Sequence, residues 1–162
     1  MELRHGGSDH GIPDGFVAYK PERLFYQATG PIYLRRDSKS VTCGFRVEEK
    51  HLNIARICHG GMLFSVMDIQ FGFDGNLRTG IQGFLATVNM TVDFMAAVNL
   101  GQWVEARSDV VRQTRSLVFV EGRLTADGET VLRANAVLKV PRRLSGLDVA
   151  AMVDGSAQSE GT

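Results

Sequence analysis

Residues 60–75 limit what this chain can become more than any other stretch: Gly-Gly-Met-Leu-Phe-Ser-Val-Met-Asp-Ile-Gln-Phe-Gly-Phe-Asp-Gly. From Met62 to Phe71 only Ser65, Asp68 and Gln70 are polar. The run does not alternate and is too long for a strand, so it reads as a helix, and a helix apolar on nearly every side belongs in a protein interior. Gly72 and Gly75 read as its far end. Its first turn leaves backbone N–H groups without intrahelical acceptors, which suits an anion or a polarised carbonyl oxygen. Asp68 is the anomaly, because a carboxylate in a buried helix is costly unless something requires it. Taken singly, Asp68 is more often an internal hydrogen-bonding acid, and His59 a cap or core histidine. Unpaired donors at one end and an acid two turns along shift the balance toward chemistry.

The rest of the chain supplies a sheet for that helix to lie on. Residues 40–48 alternate, with Val41, Cys43, Phe45 and Val47 on one face. Residues 85–94 alternate with Val88, Met90, Val92 and Phe94 opposite Thr87, Asn89, Thr91 and Asp93. Strands follow over residues 103–112, 116–125 and 131–140, and Asp127-Gly128 marks a hairpin turn. A short helix is expected from about Pro21. Strand, helix and then four strands in a meander give an α+β fold, a curved antiparallel sheet wrapped around one long helix. The domain is expected over residues 21–143, with residues 1–20 a mobile segment and 144–162 a polar, unpatterned tail. His5-Gly6-Gly7 repeats the histidine-glycine pair without an apolar run behind it, so it opens no helix.

The residues around the helix start carry a resemblance. Asn53, His59-Gly60-Gly61 and Asp68 resemble, in type and spacing, the signature of the hotdog-fold acyl-CoA thioesterases of the phenylacetyl-CoA thioesterase type. Gly30-Pro31-Ile32-Tyr33 and Thr87-Val88-Asn89-Met90 fall where that family has similar segments, and the resemblance covers about residues 24–140. One departure stands out: the family usually has glycine three residues before the histidine, where this chain has Arg56. The resemblance implies a hotdog fold, hydrolysis of a small, aryl or medium-chain acyl-CoA, and assembly as a homodimer or homotetramer with sites at the subunit interface. It implies Asp68 as general base or nucleophile and Gly60 as the donor to the thioester carbonyl, with Gly61 beside it. It further implies Asn53 holding substrate or water, His59 orienting the loop, Thr87 positioning water, and a basic residue, Arg115, binding coenzyme A phosphate. For Thr87 a strand residue satisfying its own hydroxyl is an equal reading. Arg112 and Arg123, and the cluster Arg35, Arg36 and Lys39, more often describe a solvated face.

Helix geometry adds an argument independent of any family. Eight residues separate Gly60 from Asp68, about 12 Å at 1.5 Å per residue. A carbonyl held about 3 Å from the Gly60 N–H lies out of reach of the same chain's Asp68. If both groups serve one reaction, a second subunit must supply one of them, as a two-fold dimer with antiparallel helices does.

Other functions find little support. A net charge of zero gives no pull toward nucleic acid or membrane surfaces. Two cysteines, Cys43 and Cys58, make neither a disulfide framework nor a zinc set, and fit a reducing compartment, the cytoplasm. No apolar run is long enough to span a bilayer, and residues 1–20 lack a signal-peptide core. No phosphate-cradling loop appears, and neither cofactor nor metal is implied. Phe64, Phe71, Phe73 and Phe84 are candidates for an acyl pocket. The competing reading is a non-catalytic acyl-CoA binder or scaffold with the same fold, which would have no need of Asp68.

Overall fold

The computed structural model describes residues 11–20, 24–142 and 148–153. The chain runs β1 (Val17–Tyr19), α1 (Leu24–Thr29), β2 (Ile32–Arg36), β3 (Val41–Arg46), a 3-10 turn (Glu49–His51), α2 (Gly60–Thr79), β4 (Ala86–Phe94), β5 (Trp103–Gln113), β6 (Leu117–Ala126), β7 (Glu129–Lys139) and α3 (Val149–Val153). The strands form one seven-stranded sheet in the order β1-β2-β3-β5-β6-β7-β4. Every neighbouring pair is antiparallel.

The sheet curls around α2, which touches β3, β4, β5, β6 and β7. Met62, Leu63, Val66, Met67 and Phe71 on the helix are buried against Phe45, Val104, Ala106, Val120, Leu124, Leu132 and Leu138 on the strands. Burying side chains of this size contributes about 1.5–3 kcal/mol each. The expected α+β architecture is therefore present.

Several expectations need correction. The sheet has two more strands than the alternation suggested, because β1 and β2 are only three and five residues long. β1 lies inside the segment expected to be mobile, and pairs with β2. α3 lies inside the expected tail and packs on α2; residues 1–10, 21–23, 143–147 and 154–162 lie outside the described residues. Of the four strands after α2 only β5, β6 and β7 form a meander, while β4 crosses to the far edge and pairs with β7.

The helix also runs further than Gly72 and Gly75 suggested. It ends at Thr79, capped by Gly80 at φ 68°, a left-handed conformation natural to glycine. Gly75 is an internal close approach: a Cβ there would lie 3.3 Å from Leu85 and 3.4 Å from Leu138.

Two polar side chains fix α2 against the sheet. Gln70 and Asp74 are 0% and 1% exposed and stand one turn apart. Gln70 accepts from Cys43 N (2.8 Å) and donates to Val41 O (2.8 Å) and Ser108 Oγ (3.1 Å). Asp74 accepts from Val41 N (3.0 Å), Ser108 Oγ (2.7 Å) and Arg78 Nε (2.7 Å). The helix thus supplies hydrogen bonds to the start of β3, and these buried polar groups are satisfied.

Candidate active site

The loop before α2 sets the helix N-terminus. Asn53 Oδ1 accepts from Ala55 N (2.9 Å) and Ile57 N (3.4 Å), while the Asn53 backbone exchanges bonds with Ile57 O and Arg56 N (both 2.9 Å). This folds residues 53–57 into a tight turn braced by the Asn53 carboxamide. Arg56 takes φ 61° in that turn, so the position where the related family has glycine keeps a glycine-like conformation. Arg56 also pairs with Glu49 at 2.8 Å across the exposed surface. Cys58 N then bonds Val98 O and His59 N bonds His51 O, each at 2.7 Å, which delivers His59 to the cap position.

His51 is the post behind this loop. It is 3% exposed; Nδ1 accepts from Glu48 N (3.0 Å), and Nε2 donates to Thr29 O (2.8 Å). With Nδ1 taken as acceptor the ring is neutral, and burial holds its pKa below the ordinary 6.5.

His59 caps α2 through its side chain, Nδ1 accepting from Gly61 N at 2.8 Å. Met62 N bonds His59 O at 2.9 Å. Among the described residues the Gly60 N–H has no acceptor, so of the first donors of α2 it is the one left for a ligand. A Cβ at Gly60 would lie 3.2 Å from the Phe94 ring, which explains a small residue there. Beside this end lies a hollow of about 230 Å³ lined by Ala28, Thr29, Lys50, His51, His59, Gly61, Met62 and Ser65.

α2 is not buried on every side. Gly61, Phe64, Ser65, Asp68, Ile69 and Gly72 form a stripe left open or half-covered in the single chain. Asp68 sits in it half-exposed, so the buried acid of the helix is Asp74 and not Asp68. Asp68 Oδ1 accepts a 2.6 Å hydrogen bond from Thr87 Oγ1.

That bond depends on a bulge in β4. Thr87 opposes Leu138 and Asn89 opposes Val137, so Val88 is an extra residue. The bulge breaks the alternation expected for residues 85–94. It moves Thr87 to the side of Met90 and Val92, which face α2. Asp68 also bears on Tyr26: burial chiefly, then Cys43 and Asp68, raise the Tyr26 pKa above 10.0.

The sequence-predicted residues therefore fall into three places. His59, Gly60 and Gly61 form the helix start with Asn53 bracing the loop; Asp68 and Thr87 pair about two turns along; Arg115 is exposed in the β5–β6 turn. Leu117 opposes Lys139, which opposes Ala86, so this turn lies at the end of the sheet that carries Thr87. The four phenylalanines do not share a pocket. Phe71 is fully buried, Phe73 meets Tyr19 edge-to-face with ring centres 5.3 Å apart, and Phe64 and Phe84 are exposed.

Phe84 just before β4, Val88 and Phe94 on it and Met95 just after it all have exposed side chains. β4 is the last strand of the sheet, with β7 on one side only. An apolar, unpaired edge of this kind is a surface that proteins normally cover.

Comparison with known proteins agrees with this architecture. The family model described as the thioesterase superfamily matches residues 56–132. A putative esterase of Pseudomonas aeruginosa is 25% identical over 131 residues, covering 80% of this chain and 98% of the relative. Among similar solved structures is the Escherichia coli PaaI protein from the phenylacetic acid degradation operon. It is 21% identical, with TM-score 0.66, over 74% of this chain and 86% of that one. A Streptococcus mutans protein bound to acetyl CoA is 19% identical, with TM-score 0.64, over 74% of this chain and 92% of that one. Seven antiparallel strands around one long helix, opened by the His59-Gly60-Gly61 cap, give the hotdog fold, and the match of residues 56–132 to the thioesterase superfamily supports the chemistry class of a thioester hydrolase.

Proposed function

We propose that the protein hydrolyses acyl-CoA thioesters at a site built across a homodimer, with Asp68 of one subunit acting on a thioester held by Gly60 of the other. One observation carries this reading. The Gly60 N–H has no acceptor among the described residues, the Asp68 carboxylate lies on the open stripe of α2, and helix rise separates the two by about 12 Å. A two-fold axis beside α2 and the β4 edge brings the acid of one chain to the donor of the next, and makes two sites. The same arrangement covers Val88, Phe94 and Met95. It also carries Arg115, at the Thr87 end of the sheet, toward the partner's helix start, where coenzyme A phosphates need a cation.

The thioester carbonyl oxygen accepts from Gly60 N–H, and the helix dipole favours the negative charge that develops there. Thr87 holds Asp68 Oδ1, leaving Oδ2 for the reaction. Acting as base, Asp68 takes a proton from water as the water oxygen bonds to the carbonyl carbon; the C–S bond then breaks and the CoA sulfur leaves as thiol. Acting as nucleophile, an Asp68 oxygen bonds to the carbonyl carbon as the C–S bond breaks and CoA leaves as thiolate, and water then hydrolyses the mixed anhydride to the free acid and the Asp68 carboxylate. Asn53 holds the loop, and its amide nitrogen is left for substrate or water.

The acyl group is small, aryl or medium-chain. Names of relatives support this range: the E. coli neighbour comes from a phenylacetic acid degradation operon, and the S. mutans neighbour binds acetyl CoA. We place the protein in the cytoplasm, a compartment that keeps its two buried cysteines as thiols. Among the described residues no helix is long and apolar enough to cross a membrane. The test is thiol release from a panel of acyl-CoAs by wild type and Asp68→Asn. Turnover should fall about a hundredfold or more while acyl-CoA binding persists. Near-normal turnover in Asp68→Asn would remove both roles of the acid.

A further inference from the structure

Phe64 stands where the single chain gives a large ring little to pack on. It is 39% exposed, set on α2 among Gly61, Ser65, Asp68 and Gly72, which are small or polar. It also lies midway between the two groups of the proposed reaction. Four residues separate Phe64 from Gly60 and four from Asp68, about 6 Å of rise and about 40° of turn either way. Phe64 is thus their midpoint both in height along the helix and in direction around it.

The midpoint gains a meaning once Gly60 of one subunit meets Asp68 of the other. A two-fold axis that exchanges these groups passes halfway between them, and so over Phe64. β4 points to the same level independently. Its Phe94 ring lies beside Gly60 and its Thr87 bonds Asp68, so β4 runs antiparallel alongside α2. Halfway between those two contacts lie Met90 and Thr91, and Met90 is the middle residue of the unpaired edge Ala86–Phe94. The helix and the edge strand therefore share one centre.

We propose that Phe64 meets Phe64 of the partner subunit at this centre, and that the two rings form a wall between the two sites which restricts the substrate to acyl groups of a few carbons. The inference rests on the cross-subunit reading above and narrows its substrate range to the small members. Helical side chains lean toward the N-terminus of their own helix, so each Phe64 ring leans toward its own Gly60. The thioester carbonyl carries two substituents. Coenzyme A runs outward to Arg115, so the acyl group points inward, where only about 6 Å of helix separates Gly60 from the axis. Two aromatic rings, packed offset or edge to face, fill the middle of that space. An acetyl or butyryl group fits in front of them, and an octanoyl chain runs into them.

Crosslinking and substrate selectivity test it together. Cys43 and Cys58 are buried, so a short bismaleimide reads an introduced cysteine on the open stripe of α2. Phe64→Cys should give covalent dimers. Gly72→Cys, about 12 Å from the axis and so about 24 Å from its counterpart, should not. In thiol-release assays wild-type kcat/KM should fall at least about tenfold from butyryl-CoA to octanoyl-CoA, and Phe64→Ala should erase that fall. Phe64→Leu, which keeps apolar surface for assembly, should reduce it, and Phe64→Trp should extend the penalty to butyryl-CoA. Assays run at concentrations where light scattering shows the wild-type mass. The proposal is overturned if Phe64→Cys gives no covalent dimer, if wild type turns over octanoyl-CoA as well as butyryl-CoA, or if Phe64→Ala and Phe64→Leu keep the wild-type ratio. Refolded mixtures of Gly60→Pro and Asp68→Asn separate the two failures: activity regained there alongside any of these results sinks the Phe64 wall alone, and activity not regained sinks the cross-subunit reading beneath it.

Discussion

The Thr87 hydroxyl tests whether Asp68 is held for chemistry or merely tolerated at the surface. Thr87→Val keeps the branched shape, suits an edge strand, and removes the donor 2.6 Å from Asp68 Oδ1. Hydrogen bonds to charged groups contribute about 1.5–3 kcal/mol, the larger value applying once the partner subunit has excluded water. Each 1.36 kcal/mol is tenfold in rate, so kcat should fall about 10- to 100-fold if the bond sets the carboxylate in the transition state. KM for acyl-CoA should change little, because neither the Gly60 donor nor Arg115 is touched. Thr87→Ser restores the hydroxyl and should recover most of kcat. The assay is thiol release with both parameters resolved. Wild-type kcat in Thr87→Val, or no recovery in Thr87→Ser, would refute the positioning role and return Thr87 to a strand residue satisfying its own hydroxyl.

Three further outcomes concern stability. Asp74→Ala should cost about 3–5 kcal/mol in urea unfolding, because it strips a buried acid from Val41 N, Ser108 and Arg78; a loss under 1 kcal/mol would contradict the clasp. Acid should weaken the fold through His51. Its folded pKa lies below 6.5, so the unfolded chain takes up the proton first and stability falls as pH drops below 6.5, flattening again below the folded value. Urea midpoints from pH 7.5 to 5 should show that fall in wild type and less of it in His51→Gln; equal slopes would count against it. Arg56→Gly should be neutral or stabilising by up to about 1.5 kcal/mol. It relieves about 1–2 kcal/mol of left-handed strain but gives back about 0.5–1 in unfolded-chain freedom. The Arg56–Glu49 pair, 69% and 64% exposed, contributes little, so a clear loss of stability in calorimetry would contradict the strain argument.

What the sequence disclosed was mostly local. The helix start was legible because His59, Gly60 and Gly61 precede an unbroken apolar run. Its end was misread, since Gly72 and Gly75 look like stop signals when Gly75 instead lets Leu85 and Leu138 approach. β2 left a weak signal in the alternation of Ile32 and Leu34, set between Pro31 and Arg35. The place of β4 beyond β7 is a non-local pairing that alternation along one strand does not encode. Without that pairing the bulge at Val88 is invisible, and Thr87 appears on the wrong face. Gln70 and Asp74 had a readable cue, two polar groups one turn apart within an apolar helix. Asp68 drew attention first as the lone acid within the apolar run from Met62 to Phe71, and the resemblance then ran through it as well.

The central claim is that Gly60 and Asp68 work across subunits, and mixed dimers test it most directly. Gly60→Pro removes the donor yet suits the first helical position, and His59 at φ −63°, ψ 133° already has the conformation preferred before proline. The Phe94 ring, 3.2 Å from a Cβ at Gly60, is the one close contact, so circular dichroism should first confirm that the variant folds. Gly60→Pro and Asp68→Asn homodimers should each be nearly inactive. Unfolded and refolded together, half of the dimers are mixed, each with one intact site, so about a quarter of wild-type activity should return. If both variants fold and exchange subunits but activity stays at the level of the separate homodimers, the two groups do not meet across an interface.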